Sequence, residues 1–166
     1  LSEQDNDLLE FTRTMMWLRR DHPVLRRRRF FTGDAGHGGE SELGEIEWLT
    51  PAGESMTDQD WTTWYARAMM VFLNGEAIAE PDERGQRIVD DSFLVLINAS
   101  DEDITFTLPG EGYAPTWKVA LDTAPAVDGD SDPVLAADDT VVVEARSMLF
   151  LIDAPDSDAT TERHPR

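Results

Sequence analysis

Apolar residues in the first twenty positions recur at the spacing of an α-helix. Leu8, Phe11, Met15 and Leu18 fall three or four residues apart, and Leu9 and Met16 broaden the stripe. The pattern predicts one helix over residues 3–21. Ser2 and Asp5 have the S-x-x-D spacing of a capping box, and acids crowd the first turn, where the helix dipole favours them. Asp21-His22-Pro23 ends the helix, because a residue before proline avoids the α region. A stripe this heavy has to lie against something. Met15 and Met16 read as packing groups rather than as a cofactor site.

The middle of the chain is less regular. Val24 to Phe31 places four arginines between apolar pairs and reads as an Arg-rich strand. Residues 32–44 form a Gly-rich loop with G-x-x-G but no P-loop ending. Glu45–Leu49 alternates like a short strand, and Thr50-Pro51-Ala52-Gly53 turns the chain. Thr57 and Asp60 make a second capping box, opening a short helix through Trp61 and Trp64. Ala66–Leu73 reads as a buried strand ending in the turn dipeptide Asn74-Gly75, and residues 76–91 as an exposed loop.

The rest reads as all-β. Ser92–Asn98, Ile104–Leu108, Trp117–Leu121, Thr140–Glu144 and Met148–Ile152 are short strands between polar or Pro/Gly breaks. Phe93–Ile97 is continuously apolar, as in a strand covered on both faces, whereas Ile104–Leu108 alternates, with its threonines outward. The expected fold is mainly β: an antiparallel β-sandwich preceded by a long N-terminal helix. The expected segments are 1–31, helix and Arg-rich strand; 32–91, connecting loops with a short strand and helix; 92–153, the sandwich; and 154–166, a disordered tail.

Charge narrows the partners. Fourteen basic residues against thirty-four acids give −20 over 166 residues. The imbalance is uneven: residues 1–31 carry seven Arg and five acids, a net of +2, and the remainder nets −22. Neither nucleic acid nor an anionic membrane suits such a surface. The arginines are expected to pack their stems on apolar surface and pair their heads with carboxylates. No apolar run is long enough for a membrane span, and Leu1-Ser2-Glu3 has no signal-peptide character. The start also lacks Met, which is consistent with processing or with a piece of a longer chain.

Chemistry is sparse. With no cysteine, disulfides and thiolate sites are excluded. His22, His37 and His164 fit no metal-ligand spacing, and no serine lies in a G-x-S-x-G elbow. Asp90 and Asp91, adjacent in extended chain, point to opposite faces and suit no acid/base pair. Asp128–Asp132 lacks the glycine and glutamate of a calcium loop. The expectation is therefore no catalytic residue, no metal and no cofactor. The remaining clue is aromatic. Trp48, Trp61 and Trp64, with Asp60 beside them, could stack a sugar face while a carboxylate takes its hydroxyls. The competing reading is that the rings only pack, which is how most large aromatics are used.

Several segments resemble the C-terminal portion of bacterial glycogen debranching enzymes of the isoamylase type, in the α-amylase superfamily. They are Leu18–Phe31, Glu45–Gly53 with Met56–Trp61, Val71–Gly75 and Asp90–Ala99, and they cover roughly residues 8–152 in matching order. The resemblance implies that the first helix is the last helix of a catalytic barrel and that the later strands form its C-terminal β-sandwich. Such enzymes hydrolyse α-1,6 branch linkages with carboxylates on earlier barrel strands, and no motif here matches those residues. It further implies a non-catalytic, barrel-stabilising role in the cytoplasm. The implied partner is that barrel or a second copy through the helix face, and the implied ligand is an α-glucan. A stand-alone glucan-binding or protein-interaction sandwich is the alternative.

Overall fold

Residues 3–31, 43–63, 67–124 and 134–154 are described by a computed structural model, with side chains from residue 6 onward. The chain forms two compact units. One comprises residues 1–47 and 73–92, the other 48–72 and 93–166. The chain passes between them inside its first strand, at the end of its second and just before its third.

The second unit is built on antiparallel sheet. Strands β1 (Ile46–Leu49), β2 (Ala68–Leu73), β3 (Phe93–Asn98), β5 (Thr116–Asp122), β6 (Val134–Ala136) and β8 (Ser147–Asp153) form a six-stranded sheet in the order β1-β2-β3-β8-β5-β6. Strands β4 (Ile104–Thr107) and β7 (Thr140–Val143) form a second sheet, and β7 packs against β3 and β8. At the centre, β3 and β8 run antiparallel with Phe93 opposite Ile152 and Asn98 opposite Ser147. Phe93, Leu94, Val95 and Leu96 are all buried, so the apolar run is covered on both faces as expected. Phe106 and Val143 of the smaller sheet, together with Leu108 just after β4, are buried as well. This is the antiparallel sandwich the strand pattern predicts. Between Val119 and Leu121 the β5–β8 register slips, a bulge in β5.

One polar side chain ties this core together. Asn98, 1% exposed, donates from Nδ2 to the carbonyls of Glu102, Val143 and Glu144 at 2.9–3.0 Å. Its Oδ1 accepts from the Ser100 N–H and hydroxyl. The end of β3, the entry to β4 and the exit from β7 are thus bound to one amide, which helps satisfy the carbonyls at these strand ends.

The first unit contains α1 (Glu3–Asp21), a 3₁₀ turn at Pro23–Arg26 and a second 3₁₀ turn at Gly75–Ala77. The helix has the predicted bounds; its Ser2/Asp5 cap lies outside the described side chains. The Arg-rich segment is not the expected strand. Pro23, with φ preset for a helical turn, starts the 3₁₀ turn instead, and Val24 and the Arg27 side chain are buried. Asn74-Gly75 does turn the chain, with Asn74 Oδ1 accepting from the Glu76 N–H. Glycine is required there by space: a Cβ on Gly75 would lie 2.2 Å from the Asp90 carbonyl oxygen and 2.3 Å from that of Asp91. No described helix is long and apolar enough to cross a membrane.

Candidate functional site

Trp48, on β1, and Trp61, on α2 (Asp58–Thr62), meet edge to face with ring centroids 5.3 Å apart and planes at 75°. A tight turn brings them together: Met56 N–H donates to the Trp48 carbonyl at 2.8 Å, folding 50–55 back along β1. Gly53 holds that turn at φ +83°, where its absent Cβ would come 3.0 Å from the Thr107 carbonyl oxygen. The helix is a single turn and depends on its cap. Thr57 N–H and the Thr57 hydroxyl both donate to Asp60 Oδ2, at 2.8 and 2.7 Å. These two hydrogen bonds, the backbone one foremost, hold the Asp60 carboxyl below its usual range.

Trp48 is 38% and Trp61 50% exposed, so neither ring is consumed by the core. Two of the four sequence-selected residues therefore form an open aromatic corner. Asp60 is adjacent in sequence, but one of its oxygens is spent on the cap. The expected helix through Trp64 stops at Thr62, and Trp64 lies outside the described residues. So do His37, His164, Asp128–Asp132 and the predicted tail beyond Ala154, which itself is buried and donates to the Thr116 carbonyl.

The first unit holds a polar cluster that the sequence does not disclose. His22 Nδ1 and Asp90 Oδ1 are 2.9 Å apart across 68 residues of chain, and Asp90 Oδ2 accepts from the Val24 N–H at 2.9 Å. Asp91 N–H donates to Asp90 Oδ1. His22, Asp90 and Asp91 bring ligand-capable atoms within 4.8 Å of one another. Both oxygens of Asp90 are committed to hydrogen bonds, so the cluster reads as a clamp rather than a metal centre. Arg27 meets Glu45 Oε1 at 3.2 Å, Glu80 Oε2 at 3.8 Å and the Ala77 carbonyl at 3.0 Å, and its guanidinium lies 4.9 Å from the Phe31 ring centre. That is the expected burial of an arginine head against carboxylates, at one of the four arginines. Neither the His22–Asp90 pair nor the Arg27 pairings leave a local signal, because each joins segments far apart in sequence.

Along α1 the apolar stripe is open. Leu8 is 66%, Met16 68% and Trp17 57% exposed, and the main described partner of α1 is the first 3₁₀ turn.

Fold and surfaces together define an antiparallel β-sandwich domain with an attached, uncovered helix. The family described as "Isoamylase, C-terminal" matches residues 45–154, and the chain belongs to it. Among curated relatives, the glycogen operon protein GlgX homologs of Mycobacterium bovis and Mycobacterium tuberculosis are each 50% identical over 151 residues. The match covers 91% of this chain and 21% of theirs. The chain thus spans about a fifth of their length. A pullulanase from Anoxybacillus, solved with maltotetraose, shares the fold at a TM-score of 0.50 and 11% identity, over 90% of this chain and 16% of that one. The chain is an isoamylase-type C-terminal domain similar to that of GlgX homologs, as the sequence resemblance implies.

Proposed function

We propose that the chain is a non-catalytic buttress whose α1 packs against the catalytic barrel of a debranching enzyme that hydrolyses α-1,6 branches in glycogen, in the cytoplasm. The observation that carries this reading is the open apolar stripe on α1. Fully burying a side chain such as Leu8 or Met16 is worth roughly 1.5–3 kcal/mol each, which is a strong drive toward a covering surface. The 166-residue chain added to branched glucan is expected to release no linear maltooligosaccharide. Adding the barrel portion of a GlgX-like enzyme restores release, and Met16→Asp in α1 weakens that complementation. Debranching by the chain alone overturns the reading.

A second reading rests on the Trp48–Trp61 corner. Two half-exposed rings at right angles offer a stacking platform for an α-glucan. Tryptophan fluorescence should then shift with millimolar maltooligosaccharide, and Trp61→Ala should abolish the shift. A flat titration removes this reading and leaves the buttress intact.

A further inference from the structure

The first unit contains a cleft of about 250 Å³ that neither reading uses. It is lined by Arg26, Arg27 and Arg28, by Glu80, Asp82 and Glu83, and by apolar residues. We propose that this cleft is a binding site for a small phosphate monoester of the size of a hexose phosphate.

The argument starts from donors without acceptors. Arg27 has only 6% of its side chain exposed, and Nε and Nη2 are engaged, but Nη1 is buried with no hydrogen-bond partner among the described residues. An unsatisfied donor on a buried charged group is costly, and natural structures rarely keep one without a use. Arg26 and Arg28 are exposed and enter no ion pair among the described residues, in a chain where acids outnumber bases thirty-four to fourteen. Arg26 and Arg28 therefore bring two guanidinium groups with hydrogen-bonding capacity to spare to the border of one cavity, and Arg27 lines it as a third.

The acids of the cleft are largely spent. Glu80 Oε1 accepts from the Arg29 N–H at 2.7 Å, and its Oε2 faces Arg27 Nε. Asp82 Oδ1 accepts from the Arg84 and Gln86 N–H groups, closing its own turn. Of the lining carboxylates, Glu83 alone has no such commitment among the described residues. The three carboxylates balance the three arginines in charge, but the uncommitted hydrogen-bonding groups are mostly donors, which suits an oxyanion better than a neutral polyol. A neutral polyol would need free acceptors alongside the donors. Guanidinium forks match phosphate oxygens in pairs, and Arg27 is already fixed in place by Glu45, Glu80 and the Ala77 carbonyl. The cavity is larger than a phosphate needs and lies at the small end of small-molecule sites. Its remaining walls, Pro23, Ile78, Pro81 and Ile88, are apolar and can cover the organic body of an ester.

The overall charge of −20 acts against any anion, but at physiological salt it is screened beyond about 8 Å. The expected affinity is therefore modest, on the order of a millimolar, and it weakens as salt rises. The test is amide and arginine-Nε NMR of the intact 166-residue chain, titrated with glucose 6-phosphate, with inorganic phosphate and with glucose. The hexose phosphate should saturate, with shifts confined to residues 23–28 and 78–88. Inorganic phosphate should bind more weakly and glucose not at all. The double substitution Arg26→Ala with Arg28→Ala alters two exposed side chains and should leave the rest of the spectrum in place, while affinity falls about tenfold or more. Absence of saturation, or equal binding by the double variant, overturns the site. Glucose binding as tightly as its phosphate makes the cleft a polyol site, and inorganic phosphate binding as tightly as the ester refutes the role given to the apolar walls.

Discussion

Asp90 is the residue on which the first unit should depend most. Its side chain is 7% exposed and accepts at 2.9 Å from the Val24 N–H and the Asp91 N–H, with His22 Nδ1 also 2.9 Å away. Asp90→Asn keeps the shape and removes the charge. If the amide oxygen faces Val24, the NH₂ faces the Asp91 N–H; if the amide flips, the NH₂ faces the Val24 N–H. Either way one backbone donor meets another donor and is orphaned. A hydrogen bond to a charged group is worth about 1.5–3 kcal/mol net, so the local loss should be about 2–3 kcal/mol. With two units in the chain, a single global unfolding energy is a poor readout. Hydrogen exchange at Val24 is a better one, since its N–H points at the altered group. At 1.36 kcal/mol per decade, protection there should fall about 30- to 150-fold. Asp91→Asn is the control: that side chain is half exposed and 4.0 Å from His22, and Val24 should be unaffected. If Val24 and Asp91 both keep their protection in Asp90→Asn, the clamp is not what holds the turn at the end of α1.

Gly75→Ala should be severe, costing about 3 kcal/mol or more, because the new Cβ meets two backbone carbonyl oxygens that cannot rotate away; chemical denaturation of the chain reads it, and a cost near zero would show that the loop yields. Trp117 is fully buried with its Nε1–H unpartnered among the described residues, so Trp117→Phe removes a large ring edge but also an orphaned donor. The two effects oppose each other, and the net change should stay within about 1.5 kcal/mol; a loss above about 3 kcal/mol would mean that the donor has a partner in solution. Asp60 has a depressed carboxyl pKa in the folded state, so its cap is fully formed above the unfolded value near 3.8 and is lost as pH falls through the lower folded value. The Trp61 indole resonance should follow that titration, and Thr57→Ala should move its midpoint upward; a midpoint at or above 3.8 in the unaltered chain would contradict the capping geometry.

What the sequence reveals is local. The period of α1, the Thr57–Asp60 box and the apolar run of β3 are each written within a few residues, and each appears where the pattern puts it. Strand β6 does not, because Val134–Ala136 is three residues at the end of a polar stretch and owes its conformation to pairing with Trp117 and its neighbours. The Arg-rich segment misleads for a related reason. Four arginines between apolar pairs read as a strand, but Pro23 sets the first turn and Arg27 is drawn inward by Glu45 and Glu80. At the aromatic corner, sequence proximity correctly suggests that Trp48 and Trp61 are close. The capping box already ties Asp60 to the start of the helix, and its hydrogen bonds from Thr57 commit one carboxylate oxygen there.

The position of the clamp bears on how α1 works. Asp90 and His22 fix the chain immediately after the helix, at the C-terminal end, and Val24 is buried just beyond. Toward the other end Leu8 and Leu9 stay exposed, and an uncovered helix of this length is marginal in water even with good propensity. Order in α1 should therefore decay from Leu18 toward Leu8. Amide exchange along the helix in the isolated chain tests this directly. A gradient rising toward the N-terminal end is expected, and it should flatten when the barrel portion of a GlgX-like enzyme is added, because the stripe is then covered. Uniform slow exchange from Leu8 to Leu18 in the chain alone would mean that the helix needs no cover, and the open stripe would lose its force as evidence for a partner.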